Sequence, residues 1–200
     1  LESSLSSARD QWPSIVQSLV GDGEVAVYTD PLRASPEALG PTSPFTDVHL
    51  MAEPDALAHL QIAEGAWPSA WSGSGPIEIT LSEDAAATMD WPIGERRTIL
   101  TATAPLELVL TATVRAADPD DPRWLHLPTA LTATVFDDGN RRPVATSAAW
   151  IDPGTWEVLD PPGTVVVWYP VDAAGAADVD VAQLLPAIRA IVTSPLPLGP

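Results

Sequence analysis

The stretch from Pro76 to Leu100, PIEITLSEDAAATMDWPIGERRTIL, constrains the fold more than any other part of the chain. Ile77, Ile79 and Leu81 alternate with polar or small residues, so 76–81 reads as a strand with one apolar face. Ser82 stands where a helix N-cap belongs, and Glu83 and Asp84 follow it at the positive end of the helix dipole. DAAATM is helical by propensity. Trp91-Pro92 stops that helix, because the residue before a proline avoids the α region. Gly94 allows a turn, and RRTIL leaves as a second strand. Strand, helix and strand are thus set down in twenty-five residues, with no cysteine or histidine among them.

The rest of the chain supplies more of both elements. Leu5, Ala8, Trp12, Ile15, Val16 and Leu19 recur at helical spacing, with Pro13 kinking or restarting the helix and Gly21 and Gly23 ending it. EVAVYTD reads as a strand with Val25, Val27 and Thr29 on one face. Residues 30–47 hold four prolines and read as a loop, followed by an extended DVHLM. Residues from Pro54 to Gly65 read as a helix. LTAT starts at Leu100, Leu110 and Leu131 with unequal spacing, so it marks alternation and not a solenoid repeat. We read 98–104, 106–115 and 130–136 as strands of a twisted antiparallel sheet. Asp138-Gly139 supplies a hairpin turn before a strand at ATSAAWI. Val165 to Tyr169 lacks alternation and reads as a strand buried on both faces. Val181, Leu184, Leu185, Ile188 and Ile191 lie on one side of a closing amphipathic helix that Pro186 bends.

The expected class is α+β: mixed sheets with β-α-β units, an antiparallel β-rich lobe and terminal amphipathic helices. The 200 residues suit a single domain, 1–200, with two lobes, 1–75 with 160–200 as an α/β lobe and 76–159 as a β-rich one.

Composition narrows the function. There are 27 acids against nine bases, all of them Arg, for a formal charge of −18. Such a surface repels phosphates and anionic headgroups, which excludes nucleic acid and charge-driven lipid binding as partners. Cysteine is absent, so disulfides, iron–sulfur clusters and thiol catalysis are excluded. No apolar run is long enough to span a bilayer, and no signal peptide is evident. Abundant Ala and Pro without Lys point to a high-GC bacterial source. The abrupt start at LESSLSSARD and stop at TSPLPLGP look cut from something longer.

Candidate chemistry is sparse. His49, His59 and His126 share no metal-ligand spacing. Asp118, Asp120 and Asp121 offer oxygen ligands for Ca²⁺ but lack the glycine and distal glutamate of an EF-hand loop, and their prolines favour a solvated turn. No sequence context singles out a carboxylate pair for glycoside hydrolysis, and there is no G-x-S-x-G nucleophile elbow. GSGPIE places its glycines before a strand, whereas a phosphate loop needs them between strand and helix. No cofactor is expected. The eight tryptophans are Trp12, Trp67, Trp71, Trp91, Trp124, Trp150, Trp156 and Trp168. Most of them read as core plugs, while Trp67, Trp71 and Trp124, beside Pro, Gly or Ser, are the candidate contacts for a partner or substrate.

LQIAEGAWP followed by PIEITLSEDAAATMDWPIGERRTI resembles the extracytoplasmic domain of MacB/FtsX-type ABC transporter permeases. Gly65-Ala66-Trp67-Pro68 matches that family's G-x-x-P segment, and Ala86 and Met89 stand in its small-residue helix pattern. Ile93-Gly94-Glu95 matches the turn that starts the next strand. ADPDDPRWL, VVVWYPVD and the closing helix look similar to large actinobacterial members, whereas Trp91-Pro92 replaces the more usual leucine and polar residue. The resemblance implies a noncatalytic domain on the extracellular side of the bacterial plasma membrane, between flanking transmembrane helices of the same permease. ATP hydrolysis would reside in a separate ATPase subunit or domain, since this chain has no Walker lysine. The competing readings are a secreted carbohydrate- or protein-binding β-rich module, motivated by the tryptophans and the LTATV strands, and a hydrolase using two of the carboxylates.

Overall fold

The computed structural model describes residues 2–34, 43–101, 105–127, 129–159, 161–177 and 179–193. Residues 76–100 fold as their sequence dictates. Strand β5, Ile77–Ser82, runs into helix α4, Glu83–Thr88, and Gly94 at φ 86° leads into strand β6, Arg96–Leu100. The Ser82 side chain accepts a hydrogen bond of 3.0 Å from Ala85 N, which satisfies one of the free amides of the first turn.

The chain divides into two compact units, one of Ala26–Val166 and one of Leu1–Val25 with Val167–Pro200. The lobe boundary read from sequence near residue 75 therefore falls inside the larger unit. That unit is built on a closed ring of six strands. Besides β5 and β6 the ring uses β2 (Leu32–Ala34), β3 (Phe45–Ala52), β7 (Leu106–Ala116) and β9 (Val144–Trp150). β3 pairs with β2, β2 with β6 and β6 with β7, all antiparallel. β7 and β5 are parallel, β5 meets β9 through Thr80 and Trp150, and β9 returns to β3 in parallel. Closure removes the free edges that an open sheet would expose. The interior holds Val48, Leu50, Ile77, Ile79, Leu81, Ile99, Leu108 and Leu110, and Ala85, Met89 and Trp91 close over it. β1 (Glu24–Thr29), β4 (Leu60–Gly65), β8 (Thr134–Phe136) and β10 (Gly163–Trp168) extend the sheet beyond the ring. The class is a mixed α/β fold, mainly β, with few helices.

Several expectations change. Only Ala56–His59 is helical in the segment from Pro54 to Gly65, as a single turn, α3, and Leu60–Gly65 is the strand β4 on β7. Leu57 and Leu60 are spaced for a helix and Leu60 and Ile62 for a strand, and pairing with β7 decides. The expected loop 30–47 contains β2 and the start of β3, while 35–42 lie outside the described residues. The strand expected over 98–104 ends at Leu100 as β6, and 102–104 lie outside the described residues. The one expected over 130–136 shrinks to β8. The sheet is mixed, as expected, but the stretch 76–159 is not the antiparallel lobe expected of it, because β5 and β7 pair in parallel. In β7, Leu110, Ala112 and Val114 are buried and the threonines face the other way, as LTATV implied. β10 is not buried on both faces: its first three residues are exposed, since it lies at the end of the strand order beside β1. A helix not foreseen, α5, covers Pro153–Leu159.

In the smaller unit the amphipathic opening breaks where proline predicts. Glu2–Arg9 forms α1, and Pro13 is the N-cap of α2, Ser14–Gln17. Ala173–Ala177 forms α6, and Val181–Thr193 forms α7 with Pro186 inside it. The terminal segments meet directly: α2 packs on α7, Val20 bridges Val171, Gly21 N donates to Pro170 O, and Trp12 sits edge-on to Tyr169 with centroids 4.6 Å apart. The Tyr169 phenol is pushed up in pKa by burial. Val181, Leu185 and Ile188, expected on the packed side of α7, are exposed, and Ala187 is the residue buried there.

Candidate functional site

An open concavity in the larger unit lies where α4 ends, beside β4 and β7. Its geometry begins with the helix stop. Trp91 N donates to Ala86 O and Asp90 N to Ala87 O, a Schellman closure with Asp90 in the left-handed position at φ 50°. Glycine is the usual residue there, and an aspartate costs about 1 kcal/mol by comparison. The Oδ2 of Asp90 accepts a 2.9 Å hydrogen bond from Ser43 Oγ. Trp91 is buried, and its Nε1 donates to Glu95 O at 3.0 Å.

Behind the turn sits Arg97, which is 2% exposed. Its Nη1 donates to Thr46 Oγ1 and Met89 O, its Nη2 to Asp90 O, and its Nε to Glu95 Oε1. The guanidinium lies 4.5 Å from the centroid of the Trp91 ring. One cation thus ties the helix end, the turn and β3 together, and Glu95 balances its charge.

The opposite wall comes from a bulge. β4 pairs with β7 as Ile62 with Val114 and then Glu64 with Thr113, so Ala63 is the extra residue. The bulge puts Glu64 opposite Thr113, and both line the concavity. Gly65 follows at φ 83°, where an added Cβ would lie 2.1 Å from Thr111 O, so only glycine lets the two strands approach this closely. The floor is Ala86, Ala87, Trp91, Pro92 and Ile93. The groove encloses about 450 Å³, and its charged lining residues are Glu64 and Asp90, both acids.

The residues singled out from sequence lie elsewhere. Trp71 is half-buried against the core, with its Nε1 donating to Gly75 O and its backbone N to Thr155 Oγ1. Trp67 is half-buried in the same loop. Trp124 belongs to a 3-10 turn, Pro122–Leu125; its Nε1 donates to Asp118 O, and Arg123 lies over its ring. Asp118 and Asp121 use their carboxylates on the backbone amides of Asp120 and Arg123. His59 approaches Asp121 at 3.9 Å. Arg123 forms a buried ion pair with Glu53. Among the described residues, no three His, Asp or Glu side chains gather as a metal site.

Glu64 and Asp90 escaped the sequence reading. Glu64 fell at the end of an expected helix, and Asp90 looked like the last residue before a proline stop. The sequence signal available was an alternating Leu60-Gln61-Ile62 closed by Gly65, which fits a strand with a turn as well as a helix with a glycine end.

No family model matches this chain, and no curated protein matches it.

Proposed function

We propose that this chain is a noncatalytic extracytoplasmic domain of an ABC transporter permease of the MacB/FtsX type. The observation that supports the reading is the way the two terminal segments return to one another. α2 packs on α7, and Val20 bridges Val171. The chain enters the larger unit through β1 and leaves it through β10, which are neighbouring strands. A domain whose entry and exit strands are neighbours can be inserted between two adjacent segments of a larger protein. The 76–100 unit that carries the resemblance is occupied with packing: Ser82 caps, Ala85 and Met89 are buried, and Trp91 and Arg97 lock the turn.

On this reading transmembrane helices flank the chain, the ATPase acts from the cytoplasmic side, and the domain stands on the extracellular side of the plasma membrane. A change in helix packing within the membrane would reach the domain as relative movement of the two terminal segments, a hinge or shear transition. The domain would transmit that movement to a substrate or partner outside. Among the described residues no helix is long and apolar enough to cross a membrane. The coding sequence on either side of this chain tests the reading directly. We expect an apolar run of about 20 residues on each side; flanks without such runs contradict it.

A further inference from the structure

We propose that the groove at the end of α4 docks an extended segment of a partner protein through an arginine or lysine side chain. The inference goes beyond the permease reading and does not rest on it. The groove encloses about 450 Å³, within the roughly 300–1,000 Å³ common to binding clefts. That is room for a long side chain together with its backbone neighbours.

Its chemistry selects a cation with an apolar stem. Trp91, Pro92 and Ile93 give an apolar floor, and Glu64 and Asp90 are the charged lining residues. Glu64 is exposed and has no hydrogen-bond or ionic partner among the described residues. Asp90 engages Ser43 through Oδ2. Arg97, behind the groove, is buried and already balanced by Glu95, and none of the groove's lining residues is a cation; Arg115, exposed on the Thr113 face of β7, is not part of the lining. An arginine or lysine lays its methylenes on such a floor and its charge beside the carboxylates. The formal charge of −18 draws basic segments toward this surface in the first place.

The neighbouring strand favours a peptide over a small free cation. β4 pairs with β7 alone among the described strands, and Gln61 to Gly65 are exposed. The backbone groups on its outer edge are open to an extended chain. The bulge at Ala63 that turns Glu64 into the groove also adjoins that edge. Asp90, at a backbone position where glycine is easier, puts a second carboxylate there at a cost in stability.

The test is an amide-resolved NMR titration of the chain with the peptide acetyl-Val-Arg-Val-Arg-Val-amide and with its citrulline counterpart, which keeps the shape but loses the charge and, with it, some of the N–H donors. Shifts should concentrate at 61–65 and 86–94 with the arginine peptide and be weak with citrulline. Glu64→Gln should weaken binding about three- to fivefold. Asp90→Gly should do the same while leaving the melting temperature unchanged or higher, so a loss of binding there is not a loss of fold. Asp118→Asn, a carboxylate outside the groove, should bind as the parent does. Equal binding of the citrulline peptide overturns the proposal, as does equal weakening by Asp118→Asn. Tighter binding of spermidine than of the peptide at the same amides also overturns it, in favour of a free polyamine.

Discussion

Two residues in the 76–100 unit show how differently a single side chain can contribute. Ser82 satisfies one helix amide, so Ser82→Ala should cost about 1 kcal/mol. Arg97 is buried and bonded to Thr46, Glu95, Met89 and Asp90. Arg97→Met removes the cation while filling its volume, and leaves Glu95 and two carbonyls without their donor. It should cost about 3 kcal/mol. Urea denaturation of both variants checks the ranking, and an Arg97→Met cost no larger than that of Ser82→Ala would contradict the role given to this side chain. Arg33 offers the opposite case. It makes a bidentate pair with Asp47, its partner in the β2–β3 register, and the carboxylate raises its pKa. The guanidinium side chain is 55% exposed, so the pair contributes little to stability.

At the scale of elements, glycines separate turns that need space from turns that need only a conformation. Gly65 and Gly94 both have positive φ, but a Cβ on Gly65 would strike Thr111 O while one on Gly94 meets nothing within 4 Å. Gly94→Ala should cost about 1–2 kcal/mol. Gly65→Ala should cost about 3 kcal/mol or more, because β4 must also part from β7. Thermal unfolding of the pair decides, and equal costs would mean that the β4–β7 approach yields easily. This contrast also shows what the sequence made legible. The 76–100 unit was readable because cap, alanine run, Trp-Pro and Gly94 all act locally. β4 was not, because Leu57 and Leu60 suit a helix, Leu60 and Ile62 suit a strand, and the choice rests on β7, some fifty residues later in the chain. The same non-local dependence hid the groove, since Glu64 faces it only through the bulge. β10 misled for a related reason: an apolar run marks a central strand only when neighbours cover both its faces. In α7 the apolar periodicity was evident, but periodicity does not say which side is covered.

At the scale of the whole molecule, a ring of six strands closes the larger unit, and both of its chain connections run through the neighbouring strands β1 and β10. On the proposed reading this body is carried and displayed, and its surface is the working feature. Of the eight tryptophans, Trp91, Trp150 and Trp168 are buried and Trp71 and Trp156 pack on the core, which leaves few ring faces for a carbohydrate platform. The central claim is that this body stands outside the plasma membrane as part of a permease. It is tested most directly in intact bacterial cells carrying the full-length gene. The chain has no cysteine, and Ser74 is exposed, so Ser74→Cys introduces one thiol into it for a membrane-impermeant maleimide. The account predicts labelling of the variant above the parent level in intact cells, with no further gain on lysis. Labelling that appears only after the cells are broken would contradict it.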